Sequence, residues 1–95
     1  VTIPDSVTEI GEETFYGCTS LTNMVVPYSV TTISSKAFAN CTSLTSVTLS
    51  DNELLSFSID LFDGCTNLST INIADKEGNI LTTIPFNKFL ENIKQ

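Results

Sequence analysis

The feature that most constrains this chain is a repeat. Three segments align residue by residue: Phe15-Tyr16-Gly17-Cys18-Thr19-Ser20-Leu21-Thr22, Phe38-Ala39-Asn40-Cys41-Thr42-Ser43-Leu44-Thr45 and Phe62-Asp63-Gly64-Cys65-Thr66-Asn67-Leu68-Ser69. Equivalent cysteines stand 23 and then 24 residues apart. Four further apolar columns keep that register: Val1, Met24, Val47 and Ile71; Ile3, Val26, Leu49 and Ile73; Val7, Val30, Leu54 and Ile80; Ile10, Ile33, Phe57 and Ile84. A unit this short cannot bury its own apolar face, so copies must stack on one another. One extra residue lies between Leu49 and Phe57, and four more lie between Ile73 and Ile84, in Ala74-Asp75-Lys76-Glu77-Gly78-Asn79. Both insertions fall in polar connections, where a stacked repeat tolerates added length.

The stretch Leu21-Thr22-Asn23-Met24-Val25-Val26 carries apolar residues at positions one, four and six, the spacing of leucine-rich repeats. Alternation along a short strand sends Met24 and Val26 inward and Asn23 and Val25 outward. Pro27 lacks a backbone donor and ends the ladder, as Pro4 does one unit earlier. Ser29-Val30-Thr31-Thr32-Ile33 reads as a second extended stretch, rich in β-branched residues. A short helical turn is expected over Ser34–Cys41, with Ser34 or Ser35 as its cap. The expected fold is a β-rich solenoid of short stacked parallel strands joined by short helical or 3-10 turns. It forms one domain over residues 1–95, with about four coils at 1–20, 21–43, 44–67 and 68–95. Phe15, Phe38, Phe62 and Phe89 are expected to form a stack inside it.

At these residues the chain resembles the BspA-type leucine-rich repeats of bacterial and protozoan surface proteins. That unit reads approximately L-x-x-(I/V)-x-(I/L)-P-x-x-V-x-x-I-x-x-x-A-F-x-x-C-x-x, and Leu21 through Ser43 follows it nearly throughout, with Pro27, Ala37, Phe38 and Cys41 in place. The first copy departs at Thr14; the third has Ser50 for the proline and Leu61 for the alanine. The fourth has Ala74 for the proline and Asn92 where cysteine would stand. The resemblance implies an extracellular or cell-surface location, a longer parent array, and adhesion or binding of host or extracellular-matrix proteins.

Charge narrows the partners. Eleven carboxylates against four lysines give a formal charge of −7, with no histidine. That sign is opposite to a nucleic-acid binder's and disfavours anionic membrane surfaces. No apolar run is long enough for insertion into a membrane, and residues 1–30 lack a signal peptide's basic start and apolar core. The acidic balance itself reads first as solubility.

The remaining motifs have bland readings beside the sharp ones. Cys18, Cys41 and Cys65 lie in a line and not around a point, so they do not compose a zinc site. With no histidine to act as base, they do not compose a nucleophile pair either. A bridge between adjacent units is sterically reachable but poorly aimed, and the count is odd; the expected state is three buried, reduced thiols. The sequons Asn40-Cys41-Thr42 and Asn67-Leu68-Ser69 arise because the repeat itself supplies the Thr or Ser. The acidic pairs Glu12/Glu13, Asp51/Glu53 and Asp60/Asp63 are too dispersed for calcium. For Asp51/Glu53 no surrounding cleft is legible that would support glycoside chemistry. No catalytic, metal or cofactor site is therefore expected.

The expected function is binding of protein through the outward strand positions: Thr22, Asn23 and Val25; Thr45, Ser46 and Thr48; Ser69, Thr70 and Asn72. Tyr28 in the turn after Pro27 is the aromatic candidate, with packing on Pro27 as its structural alternative. Such a face lacks the aromatic and arginine anchors of tight interfaces, so contact through it would gain strength by repetition. The alternative is a structural spacer with no ligand. The first copy lacks an opening leucine and a preceding cap, which leaves an open end suited to end-to-end self-association or to stacking on further repeats.

Overall fold

A computed structural model describes residues 3–93. Its strands are β1 (Glu9–Ile10), β2 (Asn23–Val25), β3 (Thr32–Ile33), β4 (Ser46–Ser50), β5 (Ser56–Phe57), β6 (Thr70–Ala74) and β7 (Ile80–Pro85), followed by helix α1 (Phe86–Ile93). Two sheets result: β1-β3-β5, and β2-β4-β6-β7. The second unit contributes β2 and β3 and the third β4 and β5, one strand to each sheet. The chain thus returns to each sheet once per unit, and the pairs β1–β3, β3–β5, β2–β4 and β4–β6 are all parallel.

The register aligns equivalent residues of successive units. Met24 faces Val47, which faces Ile71, and all three are buried; Val1, placed in the same column by sequence, lies outside the described residues. Ile10, Ile33 and Phe57 align likewise in the smaller sheet. Between the sheets the third side of each unit is bonded backbone to backbone, with Phe15 N–H donating to Ala37 O (2.8 Å) and Phe38 N–H to Leu61 O (3.0 Å). This side is built from hydrogen-bonded turns. The helical or 3-10 turns expected there are not formed; the one helix among the described residues is α1. The reason is visible in the backbone: Lys36 and Asn40 hold φ of 57° and 59°, and Gly17 and Gly64 hold 72° and 78°. Left-handed residues thus bracket the first turn (Glu13 and Gly17) and the second (Lys36 and Asn40), and Gly64 closes the third, which breaks any run of helical dihedrals in so short a segment.

The core is a column of aromatic rings. Phe15 stacks on Phe38 at 5.3 Å between centroids and Phe38 on Phe62 at 5.8 Å. Phe89 does occupy the end of this stack, 6.2 Å from Phe62, but from α1, with Phe86 edge-on to Phe62 at 5.9 Å. Burial is deepest in the middle unit, where Val30, Ala37, Phe38 and Cys41 are fully enclosed, while Val7, Phe15 and Cys18 are half-buried.

Two columns run differently from the sequence register. Leu54 does not follow Val7 and Val30 inward: it is 73% exposed, and Leu55 packs against the core instead. Leu55 N–H closes a turn onto Asn52 O (3.0 Å), as Val30 N–H does onto Pro27 O (3.1 Å), so the longer connection delivers its second leucine to the inward position. Ile80 and Ile84 do not extend the columns of the smaller sheet either. Strand β7 turns back antiparallel along β6, pairing Ile84 with Ile71 and leaving Ile80 52% exposed. The reversal is made by Asp75–Asn79, where Gly78 (φ 90°) supplies the left-handed residue a tight turn needs.

Candidate functional site

The outward positions of the larger sheet form two rows fixed by strand register. Asn23, Ser46 and Thr70 are partners in one; Val25, Thr48 and Asn72 in the other. Thr22, Thr45 and Ser69 lie just before these strands and are exposed. Their chemistry is partly consumed within the stack: Thr45 Oγ1 donates to Thr22 O and Ser69 Oγ to Thr45 O, both at 3.1 Å. Asn72 is also engaged, accepting from Thr83 Oγ1 at 2.7 Å and reaching Thr48 Oγ1 at 3.4 Å. Asn23, Val25, Ser46 and Thr70 make no side-chain hydrogen bond of this kind, and Asn23 and Val25 are exposed.

At the C-terminal ends of β2, β4 and β6 the face drops into an open groove of ≈ 690 Å³. Asn23, Val25, Tyr28 and Thr48 of the sequence-derived face line it; Thr22, Thr45, Ser46, Ser69, Thr70 and Asn72 lie outside it. Its remaining walls were not anticipated: Ile3 and Asp5 on one side, Ser50 and Ala74 at the base, the turn Asp75–Gly78 and Ile80 on the other. The signal that pointed there was the four-residue insertion, which had the look of slack in a polar connection. The turn is ordered instead by Asp75, whose carboxylate accepts from Asn79 N (2.9 Å), Glu77 N (3.0 Å) and Asn79 Nδ2 (3.3 Å). The Asn79 backbone N–H and these companions hold the Asp75 carboxyl below its ordinary value. Tyr28 is half-buried at the groove wall, and its carbonyl accepts from Asn52 Nδ2 at 2.8 Å.

The other chemistry-bearing residues serve the stack. Cys41 and Cys65 are buried and Cys18 half-buried, all as free thiols. Cys41 Sγ donates to Phe15 O (3.2 Å) and Cys65 Sγ to Phe38 O (3.0 Å), each reaching the preceding unit. Burial pushes the Cys65 thiol up to about 11 and raises Cys41 as well, the direction that suppresses thiolate chemistry. The two sequon asparagines also bind between units, Asn40 Nδ2 to Tyr16 OH and Asn67 Nδ2 to Thr42 O, both at 2.7 Å. Asp60 takes hydroxyl hydrogens from Ser58 (2.5 Å) and Ser35 (2.7 Å), and these two bonds hold its carboxyl below the usual range. Asp51 and Glu53 are exposed at a turn.

Among the described residues no group of three or more His, Cys, Asp or Glu side chains is placed to hold a metal ion, and no helix is long and apolar enough to cross a membrane. Compared with known families, the chain matches the model described as BspA type leucine-rich repeat region (6 copies) over residues 1–95. Neither a curated protein nor a solved structure matches it.

Proposed function

The chain belongs to the BspA-type leucine-rich-repeat family, and from that premise we propose that it is a solenoid segment of a surface or secreted protein that binds other proteins without catalysis. The observation that carries the reading is the pair of in-register outward rows on three parallel strands, ending in a groove. Repeats of this family are generally non-catalytic and surface-associated, which supports both the absence of a reaction and the location. The partners are host or extracellular-matrix proteins, met through a face of small polar side chains. Because such a face offers few anchors, single contacts are weak and the parent gains strength from multiplicity.

The test is a surface-binding assay of the native chain against a panel of purified extracellular-matrix glycoproteins. It is run beside a variant carrying Asn23→Arg, Ser46→Arg and Thr70→Arg. These three positions share one row, so the substitutions crowd the face with charge while leaving the inward columns intact. Loss of binding with an unchanged melting curve supports the module. A native chain that binds no panel member better than the triple variant points to the spacer role.

A further inference from the structure

We propose that the groove beside the Asp75–Asn79 turn seats an extended peptide segment of the partner that presents a lysine or arginine between apolar residues. This deepens the binding-module reading and rests on it.

The groove exists because short side chains lie between larger ones across the sheet. Val25, 60% exposed, stands at one margin, and Ile80, 52% exposed, at the other. Between them Ser50 and Ala74 are register partners, 7% and 6% exposed, too short to fill the space. Four strands at about 4.8 Å spacing make the depression roughly 14 Å across, the length of about four extended residues. Its volume falls within the roughly 300–1,000 Å³ of ordinary binding clefts. An extended peptide fits that shape, its apolar side chains meeting Val25 and Ile80.

Charge selects the sign of the segment. The rim carries Asp5, Asp75 and Glu77 against the single cation Lys76, in a chain of net charge −7. Asp75 is held by its own turn, so the freely placed carboxylates are Asp5 and Glu77, one on each wall. A phosphate-bearing or acidic ligand is repelled here, and a cationic side chain is drawn in. The wall is also ready-made: the Asp75 hydrogen bonds fix the turn before anything binds, which lowers the ordering cost of association. The irregular connection of the repeat thus forms one wall of the groove.

Fluorescence anisotropy with a dye-labelled lysine–valine octapeptide tests this directly, with the glutamate–valine octapeptide as its counterpart. The native chain should bind the lysine peptide saturably and the glutamate peptide at least about ten-fold more weakly, with the affinity falling as added salt shortens the Debye length below about 10 Å. Asp5→Lys with Glu77→Lys should weaken the lysine peptide about ten-fold or more, and Val25→Ser with Ile80→Ser several-fold. Glu12→Lys with Glu91→Lys makes the same change of net charge away from the groove and should alter binding less than about two-fold. Far-UV circular dichroism of each variant establishes that it is folded. Absence of saturable binding by the native chain overturns the proposal, as does equal weakening by the two charge-reversed pairs. If the arginine triple variant loses a matrix protein that the Asp5/Glu77 variant still binds, the module stands and the groove falls. A matrix protein kept by the arginine triple variant but lost by the Asp5/Glu77 variant removes the face and keeps the groove.

Discussion

Phe38→Ala tests the central column, and its cost can be worked from the packing. The side chain is fully buried, with one ring on each side at 5.3 and 5.8 Å. Removing a buried phenylalanine costs about 3–5 kcal/mol through lost transfer energy and the cavity left behind. Each stacked pair adds about 0.5–1.5 kcal/mol beyond area. Since cavity and stacking overlap, a total of about 4–6 kcal/mol is expected. A chain of this length holds roughly 5–14 kcal/mol in all, so the variant should be close to unfolded at room temperature or melt at least about 15 °C lower. With no tryptophan in the sequence, the assay is urea unfolding followed by far-UV circular dichroism. At about 2 kcal/mol per molar of urea, the midpoint should fall by roughly 2 M or more. Phe15→Ala is the internal comparison. Phe15 is half-buried and stacks on one ring only, so about 2 kcal/mol is expected. Equal losses for the two variants, or an unchanged midpoint for Phe38→Ala, would refute the argument that enclosure from both sides sets the cost.

Gly17 and Gly64 occupy equivalent left-handed positions, but a Cβ at Gly17 meets nothing within 4 Å, whereas one at Gly64 runs into Asn40 Oδ1. Gly17→Ala should therefore cost about 1 kcal/mol in thermal unfolding and Gly64→Ala about 2 kcal/mol or more; equal costs would mean that Asn40 swings aside freely. The hydroxyls of Ser58 and Ser35 hold the Asp60 carboxyl below its ordinary value in the folded protein, so protons bind the unfolded chain first. Its contribution is complete above about pH 4 and is lost as the pH falls through the lowered folded value. Urea midpoints measured from pH 6 to pH 2 should decline less in Asp60→Ala than in the native chain, and parallel declines would show that Asp60 is uncoupled from folding. Native-state alkylation with iodoacetamide at pH 8 should label half-buried Cys18 first and Cys41 and Cys65 only slowly, while in denaturant all three react. Mass spectrometry counts the modifications, and prompt labelling of Cys65 in the native state would contradict its burial.

Most of the stack was legible because the sequence states it more than once. Met24, Val47 and Ile71 share a column, as do Phe15, Phe38 and Phe62, and each copy corrects a misreading of the others. Legibility failed where a residue had no counterpart. Leu54 and Leu55 are chemically alike, and the choice between them is made by Asn52, whose Oδ1 takes the Leu54 N–H at 2.9 Å and whose Nδ2 ties the turn to Tyr28. The reversal at β7 escaped for a different reason. Alternation has the same period in both strand directions, so counting Ile80 and Ile84 into a column cannot tell parallel from antiparallel. Gly78-Asn79 carried the turn information, and Pro85 followed by Phe86, Phe89 and Leu90 at helical spacing marked the start of α1. The groove was hidden with β7, because one of its walls is the turn that makes the reversal. The outward rows themselves follow from alternation alone and stand where it places them.

The sense of the hydrogen bonds between units decides where a further copy fits. On the third side, N–H groups of one unit always feed carbonyls of the next, Phe15 into Ala37 and Phe38 into Leu61, while the thiols of Cys41 and Cys65 answer in the opposite direction. A duplicated copy of residues 21–43 spliced in frame after Ser43 would find every donor and acceptor it needs above and below. The same cassette placed after β7 would meet a strand running the wrong way. An added unit is thus accommodated between two existing parallel layers, where its strands meet neighbours of the same direction, and not against β7.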